Sequence, residues 1–281
     1  MMMEKGTDGA SASIADRASW TELDRCPICK RTDVADFETH HGQGEPVKYK
    51  LCGHCGSVYQ SPRMTEQALS EYYRAAYVSQ HQQAQGVSEK ELRVQSGRAS
   101  NLLRLLRQHR AGVERHLDIG SSAGVLMESV HEVYGCASVG IEPSALYRAF
   151  AAAGDLRVYS DLEQLANAGE REFDLVSMAH VLEHLPDPVG YLRQLRERWM
   201  TPKGTLLVEV PNLFGHFSLE RPHLFCFHAA TLKNTLAAAG WKTVRLITHG
   251  APRSRIAVRV RARLDARRRN HPSADPRVAS V

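Results

Sequence analysis

Six cysteines occur in 281 residues, and four of them fall into two tight pairs, Cys26-Pro27-Ile28-Cys29 and Cys52-Gly53-His54-Cys55-Gly56. The 22 residues between the pairs let two knuckle turns bring four thiolates to one tetrahedral metal site, for which zinc is the expected ion. A single Cys-x-x-Cys would suit redox chemistry equally; two together favour a metal. The glycines after Cys52 and Cys55 suit turns whose amides point at sulfur. Four sulfurs fill a zinc shell, so His54 is left as a bystander and the ion has a folding role without an open catalytic position.

A second signal is the segment Leu117-Asp118-Ile119-Gly120-Ser121-Ser122-Ala123-Gly124, which reads as a strand running into a glycine-bearing turn and then a helix. Gly120 and Gly124 allow a sharp turn and close approach of a ligand, although a plain strand-to-helix turn has the same composition. The next apolar run ends in Gly140-Ile141-Glu142-Pro143, which places a carboxylate 22 residues beyond Gly120. At the carboxyl end of a neighbouring strand such an acid can accept hydrogen bonds from both ribose hydroxyls of a nucleoside, a geometry that NAD enzymes share.

Histidines supply the third. His180, Glu183 and His184 share one side of a helical turn at i, i+3 and i+4, a spacing able to bind a metal. His223 lies in Glu220-Arg221-Pro222-His223-Leu224-Phe225, beyond another strand end, where the ligands of open α/β sheets collect.

These residues need elements to hold them. Residues 1–20 read as a disordered leader, 21–62 as the cysteine module, 63–110 as a helical lid or linker, 111–265 as an α/β domain and 266–281 as a basic tail. Thr65 can cap a helix from Glu66, and a second helix is expected over Glu89 to Gln108. Candidate strands are Arg115–Ile119, Ala137–Ile141, Leu156–Tyr159, Phe173–Met178, Gly204–Val210, Trp241–Thr248 and Arg255–Leu264, separated by amphipathic stretches as in a parallel sheet with crossover helices. The last alternates apolar residues with arginines, as at a sheet edge.

The ordered series Leu-Asp-Ile-Gly-Ser-Ser-Ala-Gly, Gly-Ile-Glu-Pro-Ser, Phe173-Asp174-Leu175-Val176 leading to His180-Val181-Leu182-Glu183-His184-Leu185-Pro186-Asp187-Pro188, and Pro202-Lys203-Gly204-Thr205-Leu206 resembles class I S-adenosylmethionine-dependent methyltransferases over residues 95–264. The resemblance implies a seven-stranded Rossmann-like α/β sheet with helices on both faces, preceded by a small zinc-ribbon-like module. It places Asp118, Gly120, Ser122 and Gly124 by the methionine part of the cofactor, Glu142 on the ribose, Asp161 and Leu162 beside the adenine, and His180 near the sulfonium. Many relatives have glycine where this chain has Ser122. The histidine-rich run is widespread in relatives that need no metal.

The segment from Cys55 to Arg63 and the tyrosine-rich helix after it are similar to methyltransferases of sugars and small metabolites, in which this region covers the acceptor; Tyr73 and Tyr77 are therefore candidate substrate contacts, with helix packing as their other reading. The stretch around His223 is similar to the sugar methyltransferase motif Tyr-His-Glu-His-Leu-x-x-Phe, whose last histidine is the base. His223 matches it as candidate general base and His184 as its pocket partner, while Glu220, Arg221 and Pro222 depart from it and place carbon methylation in doubt.

The expected activity is methyl transfer to a sugar, glycan or secondary metabolite, with O-methylation favoured. The alternatives are a zinc-ribbon RNA methyltransferase and a non-catalytic protein of the same fold. Net charge is +5, but nine arginines and two aspartates from Ala251 to Val281 carry +7 of it, leaving the rest at −2. The cysteine module balances Lys30, Arg31, Lys48 and Lys50 against Asp33, Asp36, Glu38 and Glu45, which disfavours a grip on phosphates. No apolar run reaches the roughly 18 to 20 residues of a membrane span, so a cytoplasmic protein without nucleic-acid or membrane partners is expected.

Overall fold

The computed structural model describes residues 19–41, 46–72, 86–215 and 219–248. At the N-terminal end β1 (Trp20–Thr21), β2 (Val34–His40), β3 (Val47–Cys52), β4 (Val58–Gln60) and β5 (Arg63–Met64) precede a helix α1 over 66–72 and the long α2 (Glu89–Leu106). β2, β3 and β4 form an antiparallel meander, and β1 pairs with β5. The Thr65 hydroxyl accepts the Ala68 amide at 3.3 Å, and Ser88 with Glu91 forms a reciprocal capping box on α2, so both starts have sequence-encoded caps.

Five parallel strands follow: β6 (Arg115–Ile119), β7 (Ala137–Ile141), β8 (Arg157–Tyr159), β9 (Phe173–Ala179) and β10 (Met200–Glu209), in the order β10-β9-β6-β7-β8. The crossovers are α3 (Val125–Tyr134), α4 (Ala145–Ala153), α5 (Leu162–Asn167) and α6 (Pro188–Arg198). Leu175 and Leu207 pack with Leu102 and Leu106 of α2 and Leu126 and Val130 of α3, whereas Val176 and Met178 join Leu165, Leu192 and Leu195 of α5 and α6. Helices thus cover both faces, which is why β9 reads as a nearly continuous apolar run.

The amino-terminal edge of this sheet is held by ions. Asp174 accepts the Arg115 amide at 2.8 Å and pairs with Arg110 at 2.7 Å, and Glu170 bridges Arg115 and Arg157. Asp174, though part of a sequence motif, is therefore structural and lies at the end away from the strand tips.

A two-residue strand, β11 (Phe225–Cys226), precedes α7 (Ala229–Ala238) and pairs antiparallel with β4, making a four-stranded sheet β11-β4-β3-β2. The chain after β10 thus returns to complete the N-terminal sheet. Two expectations change. The candidate strand Trp241–Thr248 is not a strand: no ladder partner pairs with it among the described residues, Val244 is 78% exposed, and Trp241 is tied by its indole N–H to the Leu192 carbonyl at 3.1 Å. The sheet has five described strands where seven are expected; Arg255–Leu264 lies outside the described residues, as do the leader up to residue 18 and the basic tail. No helix among the described residues is long and apolar enough to cross a membrane.

Candidate active site

All five strands of the main sheet are parallel, so the loops after β6, β7, β8, β9 and β10 share one edge. The loop after β6 carries three residues of positive φ, Gly120 (72°), Ser122 (50°) and Gly124 (84°). A Cβ on Gly120 would lie 2.5 Å from Val181 Cγ2, so glycine is required both by φ and by the loop after β9 pressing against it. Ser122 occupies the left-handed region without being glycine, and its hydroxyl accepts a hydrogen bond from Gln95 of α2 at 3.2 Å. A positive φ is a conformation that glycine adopts most readily, so Ser122 stands at a backbone position suited to glycine.

Glu142, only 4% exposed, accepts the Ser122 amide at 2.9 Å on one oxygen and the Ser144 amide at 2.8 Å on the other. Burial pushes its carboxyl pKa up while the two amides pull it down. A carboxylate has about four acceptor sites, so roughly two remain for donors of a ligand.

Asp118 is the end of a buried polar chain. Ser177 Oγ donates to Asp118 Oδ1 at 2.6 Å, and the ring of His116 bridges Ser177 at 2.7 Å and Ser138 at 2.8 Å. Burial pushes Asp118 up to about 7 and His116 down to about 3, so the imidazole is held in its neutral form. Asp161 caps α5, accepting the Gln164 amide at 2.8 Å and the Ser160 hydroxyl at 2.6 Å; Leu162 is half-buried beside it, one strand over from Glu142. His180 ends β9 at φ 58°, with Nδ1 3.4 Å from Glu183 and Nε2 3.7 Å from Glu209, which also pairs with Arg98 at 3.1 Å.

His184 and His223 are brought together, with ring centroids 4.9 Å apart in an edge-to-face arrangement. His184 Nδ1 lies 2.9 Å from the Pro222 carbonyl, and burial pulls its pKa below the ordinary histidine range. The loop carrying His223 is gripped from the N-terminal sheet. The Gln60 side-chain nitrogen lies 2.8–3.0 Å from the carbonyls of Glu220, Arg221 and His223, which share its two N–H donors, and the Tyr49 hydroxyl donates to Glu220 at 2.8 Å. Gln60 and Tyr49 are almost wholly buried. Neither they nor the His116–Ser177 relay are anticipated by the sequence reading, and no local motif marks them.

The four cysteine Sγ atoms lie within 4.8 Å of one another, with Cys26–Cys55 and Cys29–Cys52 each at 3.5 Å. Sulfurs 2.3 Å from a tetrahedral ion stand about 3.8 Å apart, whereas a disulfide needs about 2.05 Å, so the donor set fits a zinc ion and not a bridge. Lys30 and Gly56, each just past a cysteine pair, have positive φ, as two matched knuckles require. Tyr73 and Tyr77 lie outside the described residues. A groove of about 290 Å³ runs along β10 past Leu206, Val208 and Trp241; it includes His180 but neither Gly120 nor Glu142.

Residues 90–246 match a protein family described as a methyltransferase domain. A search of curated proteins found no match. Among solved structures, the chain is similar to the methyltransferase in complex with the Trm112 activator of Haloferax volcanii (16% identity, 54% of this chain and 73% of that one, TM-score 0.44). It is also similar to a SAM-dependent methyltransferase from Archaeoglobus fulgidus (22%, 61% and 86%, 0.43) and to the sugar N-methyltransferase KedS8 from Streptoalloteichus sp. ATCC 53650 (19%, 46% and 56%, 0.38).

Proposed function

Because this chain belongs to the methyltransferase-domain family and is an S-adenosylmethionine-dependent enzyme, we propose that it methylates a small molecule, a sugar, glycan end or secondary metabolite, at oxygen. The observation that carries the acceptor side is the grip of Gln60 and Tyr49 on the loop bearing His223. It makes the cysteine module a wall of the catalytic pocket and not a free appendage able to scan a polymer. The module's balanced charge supports the same reading over an RNA acceptor.

The residues present fit the cofactor. Gly120 and Gly124 let Val181 and Leu156 pack directly against the loop, where a side chain would collide, and the remaining acceptor positions of Glu142 suit the two ribose hydroxyls. Asp118 would face the methionine part of the cofactor, whose ammonium would favour the ionised carboxylate, and Asp161 with Leu162 would flank the adenine. S-adenosylmethionine supplies a methyl group already activated on a sulfonium, so little covalent chemistry is asked of the protein. His180 and Val181 close the floor beside the loop, His223 handles the acceptor's proton, and His184 positions it. Zinc on Cys26, Cys29, Cys52 and Cys55 holds the module that carries the Gln60 grip. Tyr73 and Tyr77 are proposed as acceptor contacts.

Labelling tests this reading. The chain, incubated with methyl-labelled S-adenosylmethionine and a cell extract divided into small-molecule, RNA and protein fractions, is expected to label the small-molecule fraction. Label confined to RNA or protein contradicts the proposal. With the acceptor so identified, His223→Ala is expected to lower turnover about 10²- to 10⁴-fold, the range of general acid–base contributions, while cofactor affinity stays the same. A fully active variant removes His223 from proton handling.

A further inference from the structure

We propose that Glu183, His184 and His223 form a binding site for one divalent first-row transition ion, distinct from the four-cysteine site and open toward the acceptor. The use made of the ion rests on the O-methylation reading above; its binding does not.

Three observations converge on this site. One carboxylate oxygen of Glu183 and one ring nitrogen of each histidine lie within 4.8 Å of one another. Both oxygens of Glu183 are buried and without a hydrogen-bond partner among the described residues, and the side chain is 1% exposed. A carboxylate removed from water with neither hydrogen bond nor counter-charge is strongly disfavoured, so Glu183 is aimed at something positive. Its nearest basic atoms are His180 Nδ1 at 3.4 Å and His184 Nε2 at 3.9 Å, and neither forms a hydrogen bond with it.

The third observation is the orientation of His184. A carbonyl only accepts, so the 2.9 Å contact with Pro222 fixes the proton on Nδ1 and leaves the Nε2 lone pair facing Glu183. A ligating imidazole that donates its other N–H to a backbone carbonyl is the usual outer-sphere arrangement of a metal site. The same loop presents the His223 ring, and Gln60 holds the carbonyls of both Arg221 and His223, so the backbone that carries the second imidazole is held by hydrogen bonds. Donors about 2.1 Å from an ion stand roughly 3.0–3.4 Å apart, so the three side chains close by about an ångström on binding.

Two imidazoles and one carboxylate select a transition ion over magnesium or calcium, which prefer all-oxygen shells, and leave coordination positions vacant. A cation there lowers the pKa of an acceptor hydroxyl that reaches it, and the proton leaves to solvent water. With the ion bound, His223 acts on the acceptor as a ligand of the ion and does not itself accept the proton. An acceptor with two adjacent oxygens, such as a vicinal diol, suits such a site best.

The test needs neither acceptor nor turnover. The full chain, with its cysteine site loaded with zinc, is titrated calorimetrically with Mn(II) and with Co(II). One further ion per chain is expected, bound at least tenfold more weakly by Glu183→Gln and by His223→Ala, with S-adenosylmethionine affinity retained as the check that both variants fold. A chain that takes up neither ion, or variants that bind as the parent does, overturns the site. Failure of the acceptor reading shows instead in the labelling experiment, with ion binding intact.

Discussion

Glu142→Ala is expected to weaken S-adenosylmethionine binding by at least about a hundredfold, measured by calorimetry. Hydrogen bonds to a charged group are worth ~1.5–3 kcal/mol each, and two ribose hydroxyls are lost together. The buried carboxylate also holds the Ser122 and Ser144 amides, so its removal slackens the loop that bears the positive φ of Ser122. Glu142→Gln keeps one acceptor oxygen and should fall between. Affinity unchanged in Glu142→Ala contradicts the placement of the ribose.

Cys52→Ser has the other large effect. Metal analysis is expected to find one zinc per chain in the parent and none in the variant. Structural zinc sites contribute apparent binding energies of ~10 kcal/mol or more to folding, so the N-terminal sheet should lose its cooperative unfolding transition. Because Gln60 and Tyr49 project from β4 and β3, loss of that sheet releases the Glu220–His223 loop and turnover should collapse with it. A variant that retains zinc and full activity removes the metal from the account.

The turn and strand ends proposed to hold the cofactor are legible in the sequence because their signals are local. Asp118, Gly120, Gly124 and Glu142 lie in short runs whose chemistry follows from one strand, one turn and the neighbouring strand end. The cysteine cluster is legible for the same reason, since two knuckles each need only four residues. What escapes is non-local. The His116–Ser177 relay joins β6 to β9 across 61 residues, and Gln60 meets His223 across 163. No periodicity announces either contact, and β11 is two residues long, below any pattern. The Trp241–Thr248 expectation fails on the same ground: alternation gives a segment a strand's pattern, but a strand also needs a partner, which composition does not supply.

The histidines stand between these cases. Their spacing at 180, 183 and 184 marks a polar cluster, yet only the fold shows that Glu183 is buried with both oxygens unpaired and that His223 arrives from a distant loop held by the cysteine module. The proposed acceptor side therefore draws on two sheets, while the proposed cofactor loop belongs to one.

The central assignment, S-adenosylmethionine on the Asp118–Gly124 loop, is tested most directly by titrating the full chain with S-adenosylmethionine and, in parallel, with NAD. Saturable binding of one S-adenosylmethionine per chain, with no measurable uptake of NAD, is the expected result; no binding of S-adenosylmethionine, or preferential binding of NAD, contradicts it.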